Sequence, residues 1–556
     1  MGTRFRFSVL ILGALTVYGA LIFRLYDLQI AKGDTYAAKA SSQFSGERLD
    51  APRGVIYFTD KNGNRTPVGV NRDFPVVYAV PREIADVDAV TARLLQLFPG
   101  GDAEALTRRM NNEKSAYVLF GKKVSGEVAS AIRNLDLKGA FKGVYVDSQP
   151  FRYYTLGKSA GHLLGFVGPS ADAPGDKGRY GVEEFYDRQL TGEAGVLEDG
   201  KISFPRPGED LDLTVDPNVQ AQAQTMLTNL VAKFGATGGT IIVQQPQTGK
   251  ILGMVNAPVF DPNDYGKSDL GSFVSGATQK QYEPGSVIKV LTMAAGIDTG
   301  AFTPQTTVYD SGHLEVNGHT IRNWDLKSYG TITMTNVIER SLNVGTAAAE
   351  RLLGNDRFVK YMKSYGFGEK TGIDLPGEIS GSIDPILEKG APEIAFATAS
   401  FGQGIAATPI QVITAISAIA NGGKLMRPYV NGALEPDEVR RVFKEDTARQ
   451  VARMMTTAVE TNKVAVIPGY DVAAKTGTAQ VALKGGGGYG DKVINSYVGF
   501  APSFDPRFTI LVKLDNPAGA PLAGQTVVPV FRELAQFLLT YFEVPPDRAV
   551  QPGAQE

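Results

Sequence analysis

The sequence predicts an α+β fold built on a mainly antiparallel, hairpin-rich sheet flanked by helices. Three observations predict it. "GGTIIVQQPQTGKILGMV" reads as two strands, 240–245 and 250–255, joined by a turn at Gln247-Thr248-Gly249. Three more strands, at 471–482, 493–502 and 507–515, gather toward the end of the chain. Between the two groups, apolar residues recur at helical period over 286–297, 333–352, 355–365, 408–420 and 446–460. Such a mixture belongs to the α+β class.

Taken in order, the chain opens on "MGTRFRFSVLILGALTVYGALIFRLYDLQ". Arg4 and Arg6 precede an apolar run from Phe7 to Phe23, at the short end of the about 17–25 residues that span a bilayer. A cleaved signal peptide is the alternative. The run exceeds a usual signal-peptide core, however, and the helical "RLYDLQI" follows directly. Basic residues in front imply a cytoplasmic N-terminus and an exported body. Residues 1–23 are therefore expected to be a single transmembrane anchor in the cell membrane, with the rest outside the cytoplasm.

Residues 24–215 mix strand-like pieces ("PVVYAV", "GVYVD") with helical ones ("AVTARLLQLF", "EVASAIRNL") and many Gly and Pro turns. They are expected to form a separate, mixed domain. "LDLTVDPNVQAQAQTMLTNLVAKF" then gives a strand and a long helix, with Pro217 suited to the first helical position after an Asp216 cap. A second domain is placed at 216–543. "KGGGGYGDK" (484–492) lacks the Lys-Ser/Thr ending of a phosphate loop, so it reads as a flexible hairpin tip. The tail at 544–556, "VPPDRAVQPGAQE", has the composition of disorder. No internal repeat is visible.

Composition narrows the chemistry. The 556 residues allow two or three domains with a large core. A net charge of −2 provides no basic field for nucleic acid. There is no cysteine, so disulfides and thiolate metal sites are excluded. Only three histidines occur, His162, His313 and His319. Zinc sites built on His and Ser-His-Asp catalysis are thereby disfavoured, and lysine, carboxylate or hydroxyl groups would have to move protons.

"YEPGSVIKV" (282–290) fits that requirement. Pro284-Gly285 can turn the chain so that Ser286 opens a helix near unpaired backbone N–H groups. Lys289 follows one turn later on the same face. A charged lysine in an apolar stretch is costly unless it is paired or loses its proton, and a neutral amine can take the serine proton. Chance alone supplies roughly one or two Ser-x-x-Lys matches in a chain of this length, but two companions follow. "RSLNVGT" supplies Ser341-Leu-Asn343, and "AAKTGTAQV" supplies Lys475-Thr476-Gly477-Thr478 on a predicted strand. A second Lys-Thr-Gly, at 370–372, lies in a turn before Pro376 and reads as structural. Order, spacing and context together match the Ser-x-x-Lys, Ser-x-Asn, Lys-Thr-Gly set of penicillin-binding proteins and serine β-lactamases.

The sequence resembles a class B penicillin-binding protein, the monofunctional peptidoglycan D,D-transpeptidase of elongation and division. In the first half, "RLYDLQI", "APRGVIYFTDKNGN", "AGHLLGFVG" and "GVEEFYDRQLTGEAG" are similar to the family's membrane-proximal pedestal, or dimerisation-type, domain. In the second, "DLDLTVDPNVQ", "TGKILGMVNAPVFDPN", "YEPGSVIK", "RSLNVG", "FGQGIAATPIQ", "AAKTGTAQV" and "YVGFAP" are similar to its transpeptidase domain. Two departures lie outside the motifs: Val182 where Leu is usual, and an extra residue in "YFTDKNGN".

The resemblance implies the penicillin-binding-protein transpeptidase fold and a role for each motif residue. Ser286 would be acylated by the penultimate D-Ala of a donor stem peptide, with Lys289 as general base. Ser341 would relay a proton to the leaving amine and Asn343 would position the substrate amide. Lys475 would supply positive potential near Ser341. Thr476 and Thr478 would bind the terminal carboxylate, with Gly477 between them, and the N–H groups of Ser286 and Thr478 would form the oxyanion hole. The resemblance also implies trapping by β-lactams, no cofactor or metal, and a polytopic membrane glycan polymerase as partner. A D,D-carboxypeptidase or β-lactamase shares the motifs, and a wall scaffold or β-lactam sensor would have a degenerate site. For the remaining marked residues, His162 is expected to be structural, Trp324 to wall the cleft or pack in the core, and the Gly402-Gln403-Gly404 loop to shape the cleft floor.

Overall fold

The computed structural model describes residues 17–19, 21, 51–98, 102–112, 117–137, 141–170, 175–195, 197–198, 201–482, 488–519 and 522–548. The chain divides into two compact units. The smaller comprises Met1–Gly54 and Arg188–Asp210. In it the Gly54 N–H donates to Leu190 O (2.8 Å), the Gly208 N–H donates to Pro52 O (2.9 Å), and Glu193 pairs antiparallel with Arg206. No helix among the described residues is long and apolar enough to cross a membrane. The run at 7–23 expected to do so lies outside them except for residues 17–19 and 21.

The larger unit, Val55–Asp187 with Leu211–Glu556, holds two five-stranded sheets. In the first, β1 (Ile56–Thr59) pairs antiparallel with the long β2 (Arg65–Ala79). Helix α1 (Val87–Leu97) starts where the Asp86 carboxylate accepts the Ala89 N–H. Strand β3 (Val118–Gly121), helix α2 (Gly126–Leu137) and strand β4 (Val144–Tyr154) follow, and β3 and β4 both pair with β2. Val77, Leu94, Val118, Ile132 and Val144 close this core. Strand β5 (Leu211–Leu213) then adds parallel to β1.

The second sheet carries the site. Helix α3 (Pro217–Phe234) opens on Asp216, whose carboxylate accepts the N–H groups of Asn218 (2.8 Å) and Val219 (3.2 Å), and closes on Gly235 in the left-handed region. Strands β6 (Gly238–Gln244) and β7 (Ile251–Ala257) form the expected hairpin. Helix α4 (Ile288–Asp298) follows.

The periodicity over 333–352 predicted one helix, but there are two: α5 (Met334–Arg340) and α6 (Asn343–Leu353). The break is Ser341 at φ 55°, where the Leu342 N–H turns back to Val337 O at 3.0 Å. No glycine marks it, so the pattern reads straight through. Helix α7 (Asn355–Ser364) and helix α8 (Pro409–Ala420) come next. The latter has a Thr408–Gln411 capping box and every residue buried, as in a helix enclosed on all sides by the core.

Helix α9 (Glu445–Asn462) leads to β8 (Ala473–Ala482), β9 (Tyr489–Ala501) and β10 (Phe508–Asp515). The sheet order is β7–β6–β10–β9–β8, all antiparallel, so β8 is an edge. Residues 483–487, which include the first four of the 484–492 stretch read as a hairpin tip, lie outside the described residues.

A last helix, α10 (Ala523–Tyr541), has no counterpart among the expected elements; it contains Pro529. Its Phe531, Leu534 and Leu538 pack with Leu227 of α3 and with Ile241, Tyr497 and Val512 of the sheet. The tail expected to be disordered from 544 is held as far as Arg548. Tyr470 Oη donates to Val544 O at 2.7 Å, and Arg548 pairs with Glu460 and Asp471.

Candidate active site

Gly285 has φ +58°, a conformation that excludes most other residues, and its N–H donates to Gly402 O at 3.0 Å. Gly402 is needed in turn, because a Cβ there would lie 2.2 Å from Gly285 O. The 402–404 loop thus buttresses the Ser286 turn. Ser286 sits in the short 3₁₀ turn Gly285–Val287 that leads into α4, half-buried, and Lys289 follows inside α4 with no exposed surface.

The Lys289 amine reaches the second motif. Nζ lies 2.6 Å from Ser341 O, 2.8 Å from Asn343 Oδ1 and 3.3 Å from Ser341 Oγ. Burial, and then the neighbouring Lys475 charge, hold Lys289 well below the ordinary lysine range. The break between α5 and α6 is what turns Ser341 into the cleft. A non-glycine in the left-handed region costs about 1–3 kcal/mol and persists only where its surroundings enforce it. Here the surroundings include a buried brace. The Val344 N–H donates to Asn323 Oδ1 (3.2 Å), and Asn323 Nδ2 donates to both carboxylate oxygens of buried Asp310 (2.9 Å each). Asn343 Nδ2 donates to Arg322 O at 2.9 Å.

Strand β8 closes the cleft. Lys475 Nζ donates to Ser341 Oγ at 2.8 Å and lies 3.1 Å from Thr476 O and 3.2 Å from Thr476 Oγ1. Burial lowers its pKa to about 7. Gly477 lets the strand approach the Ser286 turn, since a Cβ would meet Ser496 Oγ at 2.4 Å and Pro284 O at 2.7 Å. Thr478 stands beside Gly285: a Cβ on Gly285 would lie 3.2 Å from Thr478 O. Ser286, Ser341, Asn343, Lys475, Thr476 and Thr478 line one cleft of about 560 Å³. Lys289 lies beneath it, bonded to the 341–343 segment. As an edge strand, β8 offers unpaired backbone groups along which an extended peptide can align.

The other marked residues separate cleanly. In the second Lys-Thr-Gly, the Thr371 N–H (2.7 Å) and Gly372 N–H (3.0 Å) donate to the Glu378 carboxylate, and the turn contributes nothing to the cleft lining. His162 faces Ser272 O at 2.7 Å and the Phe260 ring, and burial pulls its pKa to about 4. Trp324 is 63% exposed and lines the cleft, so it is wall and not core. Sequence reasoning missed Tyr329, Glu339 and Arg340 on the same wall, and Asn462 and Leu522–Gly524 beyond Lys475. For Arg340 the one available signal was its place next to Ser341.

Comparison with known proteins agrees with this architecture. The penicillin binding protein transpeptidase domain matches residues 239–536, and the penicillin-binding protein dimerisation domain matches 48–201. The chain is 33% identical to stage V sporulation protein D of Bacillus subtilis, over 92% of this chain and 82% of that protein. It is 28% identical to the peptidoglycan D,D-transpeptidase FtsI of Escherichia coli K12, over 98% and 92%. Among solved structures, penicillin binding protein 2X of Streptococcus thermophilus superposes with a TM-score of 0.71 at 23% identity, over 90% of this chain and 81% of that one, and so attests the fold. With the transpeptidase domain matched across more than half its length, the chain belongs to the penicillin-binding protein transpeptidase family.

Proposed function

We propose that this protein is a penicillin-sensitive peptidoglycan D,D-transpeptidase that cross-links stem peptides in cell-wall synthesis. The observation that carries the reading is the meeting of two buried lysines on one serine hydroxyl, Ser341 Oγ, beside the Ser286 turn. A neutral amine has two N–H donors and one lone pair. Lys289 can spend its donors on Ser341 O and Asn343 Oδ1 and keep the lone pair for a proton. It takes the proton of Ser286 Oγ as that oxygen attacks the donor carbonyl. The N–H groups of Ser286 and Thr478 receive the oxyanion. Ser341, in contact with Lys289 and Lys475, passes the proton to the departing D-Ala amine. Thr476 and Thr478, with Lys475, hold the terminal carboxylate, and Asn343 positions the substrate amide. An acceptor amine then resolves the ester.

The same residues serve a carboxypeptidase or β-lactamase if water is the acceptor. Labelling with fluorescent penicillin, followed by a donor peptide offered with and without an amine acceptor, tests the reading. Transpeptidation predicts a cross-linked product; release of the acid alone under both conditions would assign hydrolysis.

On this reading residues 1–23 anchor the protein in the cell membrane, 24–215 form the pedestal and 216–543 act outside the cytoplasm. Cross-linking needs nascent strands, so a polytopic glycan polymerase is the partner, met by the anchor and the segments "RLYDLQI" and "APRGVIY". A chain of residues 24–556 should still bind penicillin, because all three motifs lie beyond 280. Exported to cells lacking the full-length protein, it should fail to restore growth, having lost tethering; full restoration would refute the anchor and the partner.

A further inference from the structure

We propose that Arg340, held on Tyr329 and beside Trp324, forms a subsite for a carboxylate of the acceptor stem peptide. The inference rests on the transpeptidase reading above. Gly285, the residue before Ser286, stands beside Thr478. Further back along β8, Lys475 meets Ser341 Oγ, and Arg340 is the residue before Ser341. Ser286, Ser341, Lys475 and Arg340 all line the one cleft, with Arg340 adjoining Ser341 in the chain.

In acylation the leaving amine is protonated at Ser341, so the departing D-Ala lies at that end. By microscopic reversibility the incoming amine takes the same place. Its nitrogen attacks the ester carbonyl, the C–N bond forms as the C–Oγ bond breaks, and the amine proton returns to Ser286 Oγ. The remainder of the acceptor must then extend along the wall beyond Ser341.

That wall holds a guanidinium against Tyr329, with one hydrogen bond made to the tyrosine side chain. Arg340 closes α5 and is exposed, with its cation 4.8 Å from the centre of the Tyr329 ring. Trp324 Nε1 donates to Arg340 O at 3.0 Å and so fixes the exposed indole alongside. The two acidic neighbours have partners of their own, Asp325 on the same tyrosine. Asp325 accepts the Tyr329 hydroxyl, and Glu339 accepts from Asn336 Nδ2 at 2.8 Å. Among the described residues no carboxylate pairs with Arg340. Of the five guanidinium N–H donors the tyrosine takes only part, and a ring-supported guanidinium with donors remaining suits a carboxylate.

The test uses the full-length protein acylated by a thioester donor. Two synthetic amine-bearing peptide acceptors are compared, one with a free carboxylate away from the amine-bearing carbon and one with that group amidated. Rates are normalised to the fraction of sites that fluorescent penicillin titrates. The wild type should prefer the free carboxylate. Arg340→Gln should raise KM for that acceptor by about tenfold, the order expected of a charged hydrogen bond at a partly open site, with the effect in KM and not in kcat. Arg340→Lys should retain part of the preference. An equal preference in wild type and Arg340→Gln, or none in the wild type, overturns the subsite. A wild type that binds penicillin but cross-links neither acceptor overturns the transpeptidase reading, and this inference with it.

Discussion

Replacing Lys289 with arginine separates base chemistry from charge. The amine is fully buried, with Ser341 O at 2.6 Å and Asn343 Oδ1 at 2.8 Å, and burial favours its neutral form. A guanidinium can reach the same acceptors but does not deprotonate in proteins. Loss of a general base costs about 10²–10⁴ in rate, or about 2.7–5.5 kcal/mol of barrier. The larger head in a closed site adds about 1–3 kcal/mol of overpacking, which appears in stability and must be measured apart. The assay is stopped-flow acylation by a fluorescent penicillin, paired with thermal unfolding. Lys289→Arg should acylate at least about a hundredfold more slowly while still unfolding cooperatively. A variant acylating at near wild-type rate would show that Lys289 acts through charge or packing and would refute the proton path.

The two Lys-Thr-Gly copies should behave differently: Thr478→Val slows acylation, whereas Thr371→Val leaves it nearly untouched, and the reverse ranking in the same assay would exchange their roles. Gly402→Ala puts a methyl 2.2 Å from Gly285 O in a left-handed residue. About 1–2 kcal/mol of backbone strain and about 1–3 kcal/mol of overlap should lower the melting temperature and slow acylation together; unchanged values would deny the buttress. Lys475, at about 7 when folded against 10.5 ordinarily, binds its proton less tightly in the folded state. The unfolded chain therefore holds the extra proton between those values, and this residue's contribution makes the fold more stable as pH rises through that window. Denaturant titrations from pH 7 to 9 should show that rise flattened in Lys475→Met; the same slope in both proteins would refute the shift.

Much of the site was legible because its chemistry is local. Ser286 and Lys289 are one turn apart, Ser341 and Asn343 flank one helix break, and Lys475 to Thr478 occupy one strand, so each motif is short in sequence and their order and context single out the set. The sheet was legible because its hairpins are continuous in sequence. What was hidden depends on contacts between distant segments. Ser341 breaks a helix without a glycine because the Asn323–Asp310 brace, remote in sequence, supports the segment that follows. The wall of Tyr329 and Arg340 exists only once α5 lies against the cleft. Helix α10 is fixed by packing Phe531 and Leu538 on the sheet, and Pro529 obscures its pattern. Residues 544–548 look disordered by composition, yet Val544, Asp547 and Arg548 each find a partner.

The proposed chemistry turns on Ser286 as the nucleophile of this cleft. It is the one serine in the chain with a lysine three residues on. Incubation with penicillin, proteolysis and mass spectrometry locate the adduct directly. A single covalent adduct is expected, on the peptide containing Ser286 and absent from Ser286→Ala. An adduct on any other peptide, or undiminished labelling of Ser286→Ala, would contradict it.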